Sequence, residues 1–171
     1  MEAPSFPSDL IALLGDMLSD DDDDDAPFLK HLERELTLEW LEDDSSQLGN
    51  THFEMNHHDL FKRRRLNASP GPITIGLHPM LVGDQLLYRH TLVHELLHAA
   101  GLLEHSEKHK EMVNEIAPPP TLSNSPVLRA LRERVLLSSD EGEWECSHCG
   151  FEWKRQTVRK PSRCPKCARQ V

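Results

Sequence analysis

No apolar run in these 171 residues approaches the ~20 that a membrane-spanning helix requires. The opening Met1-Glu2-Ala3-Pro4 also lacks the basic start and apolar core of a secretory leader. The expectation is a protein that is neither secreted nor held in a membrane, and that works in the cytoplasm, or in the nucleus or on DNA if the source has a nucleus. No internal repeat is visible. Cysteine is absent outside two CxxC pairs, Cys146/Cys149 and Cys164/Cys167. In a chain without a leader that usage points to metal rather than to disulfides. Positive charge is nearly missing from residues 1–50, which hold 15 acids and 2 bases, a net of −13. The whole chain carries −10, so the remaining 121 residues carry +3. The acidic average therefore hides a basic C-terminus.

What is present reads as three parts. Residues 1–25 are expected to form an acidic, disordered tail, in which Leu10 to Leu18 is apolar enough for a short helix or a partner-binding stretch. The run Asp20 to Asp25 that follows is expected to be solvated and disordered, since like charges in series repel. Residues 26–137 carry the main periodic patterns. Phe28, Leu29, Leu32, Leu36, Trp40 and Leu41 recur at three- and four-residue spacing and predict an amphipathic helix. Residues 42–72 are weakly patterned, with Phe53, Met55 and Phe61 hinting at short strands and Lys62-Arg63-Arg64-Arg65 forming a compact basic run. That run suits either nucleic-acid contact or a solvated turn. Ile73 to Leu77 is β-branched and bounded by Pro72 and reads as a strand. Gln85 to Leu103 is a long helical pattern, with Gly101 where helices loosen. Ser106 is a candidate cap for a helix to Ile116, which Pro118 to Pro120 end. Ser125-Pro126 suits the start of another, to about Leu137. Residues 138–171 form the third part.

The chemistry lies in His94-Glu95-Leu96-Leu97-His98. On a helix, residues four apart share a face, so His94 and His98 can grip one zinc ion, and Glu95 can reach a water bound to it. Catalytic zinc takes three protein ligands and keeps a position open. The candidates for the third are His105, His109, Glu104 and His90. His90 lies one turn before His94 and would have to reach past it, so a structural role is expected. His105 can fold back after Gly101 and is preferred, with His109 as the alternative. His52, His57 and His58 read as ordinary solvated loop residues.

The C-terminal pairs, Cys146/Cys149 and Cys164/Cys167, fit a closed four-thiolate zinc site. So short a module needs the metal to fold. The expected cofactor is thus two zinc ions per chain, one catalytic and one structural. Lys154, Arg155, Arg159, Lys160, Arg163 and Lys166, with Arg169 and the aromatics Trp144, Phe151 and Trp153, suit a nucleic-acid surface. The competing account is that the aromatics are the core of the module and the charges only solvate it.

From about Ile73 to Val171 the chain resembles the SprT-like (Spartan-type) metalloprotease family. The resemblance is carried by Ile73-Thr74-Ile75, by Thr91 to Ala100 with its HExxH, by a later His, and by Gly142 to Gly150 opening a ribbon. In that family the third ligand is a His after the active-site helix, often followed by Gly, with an aromatic residue four positions on. His105 fits the spacing, but Ser106 stands at the Gly position and His109 at the aromatic one. The resemblance implies an α+β, zincin-like protease domain with a C-terminal zinc ribbon. It also implies cleavage of proteins bound or crosslinked to DNA, with Glu95 as general base and then acid. Residues 73–77 would be a strand free to pair with extended substrate. A metzincin reading, HExxHxxGxxH, places Glu104 rather than a His in the third position and ranks lower. A non-enzymatic, zinc-stabilised DNA or protein adaptor is the remaining alternative.

Overall fold

A computed structural model describes residues 3–7, 9–19, 26–138, 143–154 and 161–171. The chain divides into two compact units, residues 1–120 and 121–171.

The first unit is mixed α and β. Helix α1 (Asp9–Ser19) lies inside the expected acidic tail. Its Leu10 and Leu14, four residues apart and so on one face, are fully buried. The Tyr88 hydroxyl donates to the Ser5 carbonyl at 2.7 Å and Arg89 pairs with Asp9 at 2.8 Å, so this segment docks rather than floats. The aspartate run 20–25 lies outside the described residues.

The helix expected across residues 28–41 is cut short. A 3-10 turn (Leu29–His31) and a single turn of α2 (Leu32–Glu35) pass directly into strand β1 (Leu36–Trp40). Leu36 and Trp40, which fit the helical period, also alternate with Leu38 in between as a third apolar residue, so a period of two competes with one near 3.6. Pairing decides between them: β1 lies parallel to β3 (Ile73–Leu77), Leu36 opposite Ile73 and Trp40 opposite Leu77. Strand β2 (Gly49–Phe53) lies antiparallel on the other side of β3. The sheet order is therefore β1-β3-β2. This corrects the expectation for residues 73–77, which were to offer a free edge. They form the central strand, and Ile73, Ile75 and Leu77 are fully buried. The edge strands are β1 and β2, and β2 packs against α4. Between β2 and β3, residues 56–66 form helix α3 (His57–Arg65) with Asn56 as its cap, where only strand hints were legible.

Helix α4 (Gln85–Ala100) packs on β2 and β3 and carries the HExxH. The Asp84 carboxylate caps it by accepting from the Leu87 amide at 3.1 Å. Gly101, at φ 114°, ends it three residues before the expected limit. The amides of Gly101 and Leu102 turn back to the carbonyls of His98 and Leu97, a left-handed terminus that favours glycine. Leu92, Val93, Leu96, Leu97, Ala99 and Ala100 are all fully buried. Each large aliphatic side chain among them contributes about 1.5–3 kcal/mol of burial, so α4 is firmly anchored in the core. Helix α5 (Glu107–Ile116) follows with Ser106 as its cap, as expected.

The second unit contains α6 (Pro126–Ser138), capped by Ser125, whose Oγ accepts from the Leu128 amide at 3.0 Å. An antiparallel hairpin follows, β4 (Glu143–Glu145) with β5 (Glu152–Lys154), and then the second Cys pair. Helix α6 thus falls in the unit of the cysteines rather than with residues 26–120.

Candidate metal centres

Helix α4 places His94 and His98 one turn apart, and the loop after Gly101 brings His105 back over them. The three Nε2 atoms lie 3.1 Å (His94–His105), 3.3 Å (His94–His98) and 3.2 Å (His98–His105) apart. Ligands at 2.0–2.1 Å around one tetrahedral zinc would stand about 3.3–3.4 Å from each other. Three imidazole nitrogens crowded this closely otherwise have no favourable reason to converge. His98 Nδ1 donates to the Leu102 carbonyl at 2.7 Å, which leaves its Nε2 lone pair turned inward and fixes the ring.

Burial, followed by the charges of His109, His98, His105 and His90, holds His94 down to about 4. Burial also lowers His98. Both are therefore neutral at physiological pH, the form that binds a metal.

His109 is the second claimant. Its ligand atom falls within 4.8 Å of those of His94 and His98. However, it is fully buried, its ring stacks on His98 at 4.4 Å, and its Nε2 lies 3.3 Å from the His94 carbonyl oxygen. That nitrogen is spent as a donor, and Nδ1 has no hydrogen-bond partner among the described residues. His109 thus packs behind the pair in the position of a core aromatic, while His105 faces the same point as the other two. His90 donates from Nδ1 to the Ala117 carbonyl at 2.7 Å, a structural bond as expected. Glu104 lines a separate hollow beside Arg64 and Ser106.

Glu95 is 7% exposed. Its Oε2 accepts from the Thr51 hydroxyl at 2.8 Å, and the same hydroxyl lies 3.0 Å from the Glu95 carbonyl. Burial raises the Glu95 carboxyl above its ordinary value, and the Thr51 bond partly opposes this. Gly49, two residues earlier on β2, lets the strand approach: a Cβ there would stand 2.7 Å from Thr91 Cγ2 and 2.9 Å from Glu95 Oε1. Neither Thr51 nor Gly49 was visible as a site residue in the sequence. They are 44 residues or more from Glu95 along the chain, and no local period links them.

A cleft of about 270 Å³ opens on this group, lined by Thr51, Phe53, His57, Leu60, Glu95, His98, Leu103 and His105. His57 therefore borders the site, while His52 lies exposed on β2 and His58 exposed on α3. In the β2–β3 register, Leu48 accepts from His78 and Glu54 donates to Pro72. By alternation, the backbones of Gly49, Thr51 and Phe53 face away from β3, along the free edge beside the cleft.

In the second unit, Cys146 and Cys167 Sγ are 3.7 Å apart, and Cys149 and Cys164 Sγ are 3.8 Å apart. Four sulfurs at 2.3 Å from one tetrahedral zinc would be about 3.8 Å apart. The amides of Lys166 and Cys167 point at Cys164 Sγ, and a hydrogen bond from the His148 backbone, the largest influence, holds Cys146 down to about 6. The residue after each pair is left-handed, Gly150 at φ 60° and Ala168 at φ 58°. All four cysteines are free thiols, so this cluster can hold a metal ion, as the His cluster can. Trp144 is buried and pairs with Trp153 across the hairpin at 6.1 Å, and Phe151 stacks on Trp153 at 6.2 Å. Of the basic residues singled out in this module, Lys154, Arg163, Lys166 and Arg169 are described and exposed, and Lys166 lies over Phe151 at 5.4 Å. Arg155, Arg159 and Lys160 lie outside the described residues.

Compared with protein-family models, with curated proteins and with solved structures, the chain matches none. Among the described residues, no helix is long and apolar enough to cross a membrane.

Proposed function

We propose that this protein is a zinc-dependent endopeptidase acting on proteins bound or crosslinked to DNA, with His94, His98 and His105 as zinc ligands and Glu95 as its base. The observation that carries the peptidase reading is the convergence of three Nε2 atoms within 3.3 Å beside a carboxylate on the same helix. The donor set fits the metal: the imidazoles of His94, His98 and His105 would hold it, beside a cleft that both His98 and His105 line. When bound, zinc supplies a Lewis acid that polarises a carbonyl and acidifies water.

The chain's own residues do the rest. Thr51 fixes one oxygen of Glu95, and Oε1 has no hydrogen bond among the described residues. Oε1 is thus the atom that takes a proton from attacking water and returns it to the leaving amine. The free edge of β2 aligns extended substrate by backbone pairing, in the role expected of residues 73–77. The Cys146, Cys149, Cys164 and Cys167 site is closed and structural, with a second zinc. The association with DNA comes from the resemblance to SprT-like proteases and from the basic residues of the second unit.

Glu95→Gln keeps the shape of the carboxylate and removes the base. The comparison is cleavage of a protein crosslinked to a DNA oligonucleotide, with zinc content measured on both proteins. The expected result is two zinc ions per chain in each and cleavage by the wild type alone. No cleavage by the zinc-loaded wild type, on this substrate or on unfolded casein, would leave the adaptor account standing instead.

A further inference from the structure

Helix α3 carries Lys62, Arg63, Arg64 and Arg65 in its last turn. At 100° per residue, Arg65, Lys62 and Arg63 span one arc of the helix, and Arg64 points the other way. The exposures agree: the first three are exposed and Arg64 is half-buried. Cations at a helix C-terminus complement its dipole, but that effect is confined to the last turn and is met by one or two charges. Here four are placed together, and none is in an ion pair among the described residues. The acid nearest in sequence, Asp59, already accepts from Asn56 Nδ2 at 2.7 Å. Arg64 Nε is buried without a hydrogen-bond partner among the described residues.

The same helix forms one wall of the cleft through His57 and Leu60. Arg64 lines the neighbouring hollow, and Leu103 borders both hollow and cleft. From Leu60 to Arg64 the rise along the helix is about 6 Å.

We infer that the C-terminal turn of α3 is a nucleic-acid backbone contact, with Lys62, Arg63 and Arg65 each engaging a phosphate. Three of the four cations are arginine, whose planar fork matches phosphate oxygens and keeps its charge at any physiological pH. The cluster presents cations over a wide arc with one exposed aliphatic residue, Leu66, between them. A polyanion read through its charge suits that surface better than a partner read through apolar side chains. The placement deepens the peptidase reading, because the helix that would seat the duplex also walls the cleft, with the three exposed cations one helix diameter (~10 Å) across from that wall. The surface itself rests on charge and does not depend on the peptidase.

The test uses the full chain loaded with zinc. A fluorescein-labelled 20-base-pair duplex is titrated by anisotropy over a range of salt, against wild type, Lys62→Ala/Arg63→Ala/Arg65→Ala, and Arg63→Lys/Arg65→Lys. Each lost phosphate contact flattens the slope of log K on log salt by about 0.9. The triple variant should therefore lose two to three units of slope and at least tenfold in affinity, while the lysine variant keeps the slope. An Arg163→Ala/Lys166→Ala protein isolates the contribution of the second unit. Equal affinity and slope in wild type and triple variant would overturn the inference, as would tighter binding by a labelled polyglutamate peptide that the triple variant abolishes. Cleavage of a free peptide should be unchanged in the triple variant, while cleavage of a DNA-crosslinked protein falls. If DNA binding drops as stated but no protein is able to cleave anything, the α3 contact stands and the peptidase reading fails.

Discussion

Replacing Thr51 by valine removes one hydroxyl and keeps nearly the same volume. In the native site that hydroxyl lies 2.8 Å from Glu95 Oε2 and 3.0 Å from the Glu95 carbonyl, so its single proton is shared between them. The carboxylate is the stronger acceptor because it is charged and largely withdrawn from water. A hydrogen bond to a charged group contributes about 1.5–3 kcal/mol. Part of that holds Glu95 in one orientation, with Oε1 left free for a proton. At 1.36 kcal/mol per factor of ten, losing it costs about 10- to 150-fold in rate if the geometry matters fully to the reaction. Among the described residues no hydrogen bond joins Thr51 to His94, His98 or His105, and in the proposed reading substrate meets the β2 backbone rather than this hydroxyl. The expectation is therefore a kcat reduced by about 10- to 100-fold with KM within about twofold, on a fluorogenic peptide. Zinc content by atomic emission should stay at the wild-type value, and Thr51→Ser should restore most of the rate. A Thr51→Val enzyme with kcat within twofold of wild type would show that Glu95 is positioned without this bond. Loss of zinc in the variant would show that Thr51 supports the metal site rather than the base.

Other outcomes follow from the same geometry. His105→Ala should lose one zinc per chain while His109→Phe retains both, because His109 packs as a ring with an unpartnered Nδ1; the reverse pattern in zinc analysis would exchange their roles. Gly101→Ala forces a Cβ to 2.9 Å from Pro27 Cδ at φ 114°, so thermal unfolding should show a loss of about 1–3 kcal/mol. Ala168→Gly relieves a left-handed alanine at φ 58° and should gain up to about 1 kcal/mol, seen as slower release of the ribbon metal to a chelator. Burial raises the Tyr88 hydroxyl above its ordinary value, so its contribution is full below about pH 10 and is lost as pH rises through the higher folded value. Tyr88→Phe should remove that alkaline component and, at neutral pH, cost about 0.5–1.5 kcal/mol through the lost bond to Ser5, read by urea unfolding.

The parts legible in the sequence were those set by local rules. Ser106 and Ser125 cap the helices they were expected to start, and Gly101 ends the one it was expected to loosen. Local periodicity failed where two periods coexisted. Leu36 and Trp40, four apart, fit a helix face, and together with Leu38 they also fit a strand face; pairing with β3 selected the strand. It failed again at α3, whose apolar positions are too few to show a period among charged residues. Residues 73–77 were recognisable as a strand, but a strand's neighbours are not written in it, and β3 lies between two partners.

By itself, then, the sequence determined the His94–Glu95–His98 face and the two CxxC knuckles. A helix repeats every 3.6 residues, and a knuckle closes within four, so spacing alone places those donors. Only the tertiary structure decided how the two later imidazoles stand beside them. His105 and His109 follow the same helix by similar distances, and the choice rests on how the loop after Gly101 returns. That return leaves His105 Nε2 3.1 Å from His94 and buries His109 behind the pair. The tertiary structure also brought Thr51 and Gly49 to Glu95, because strand β2 meets α4 through pairing with β3, a contact between distant segments that no local repeat can specify.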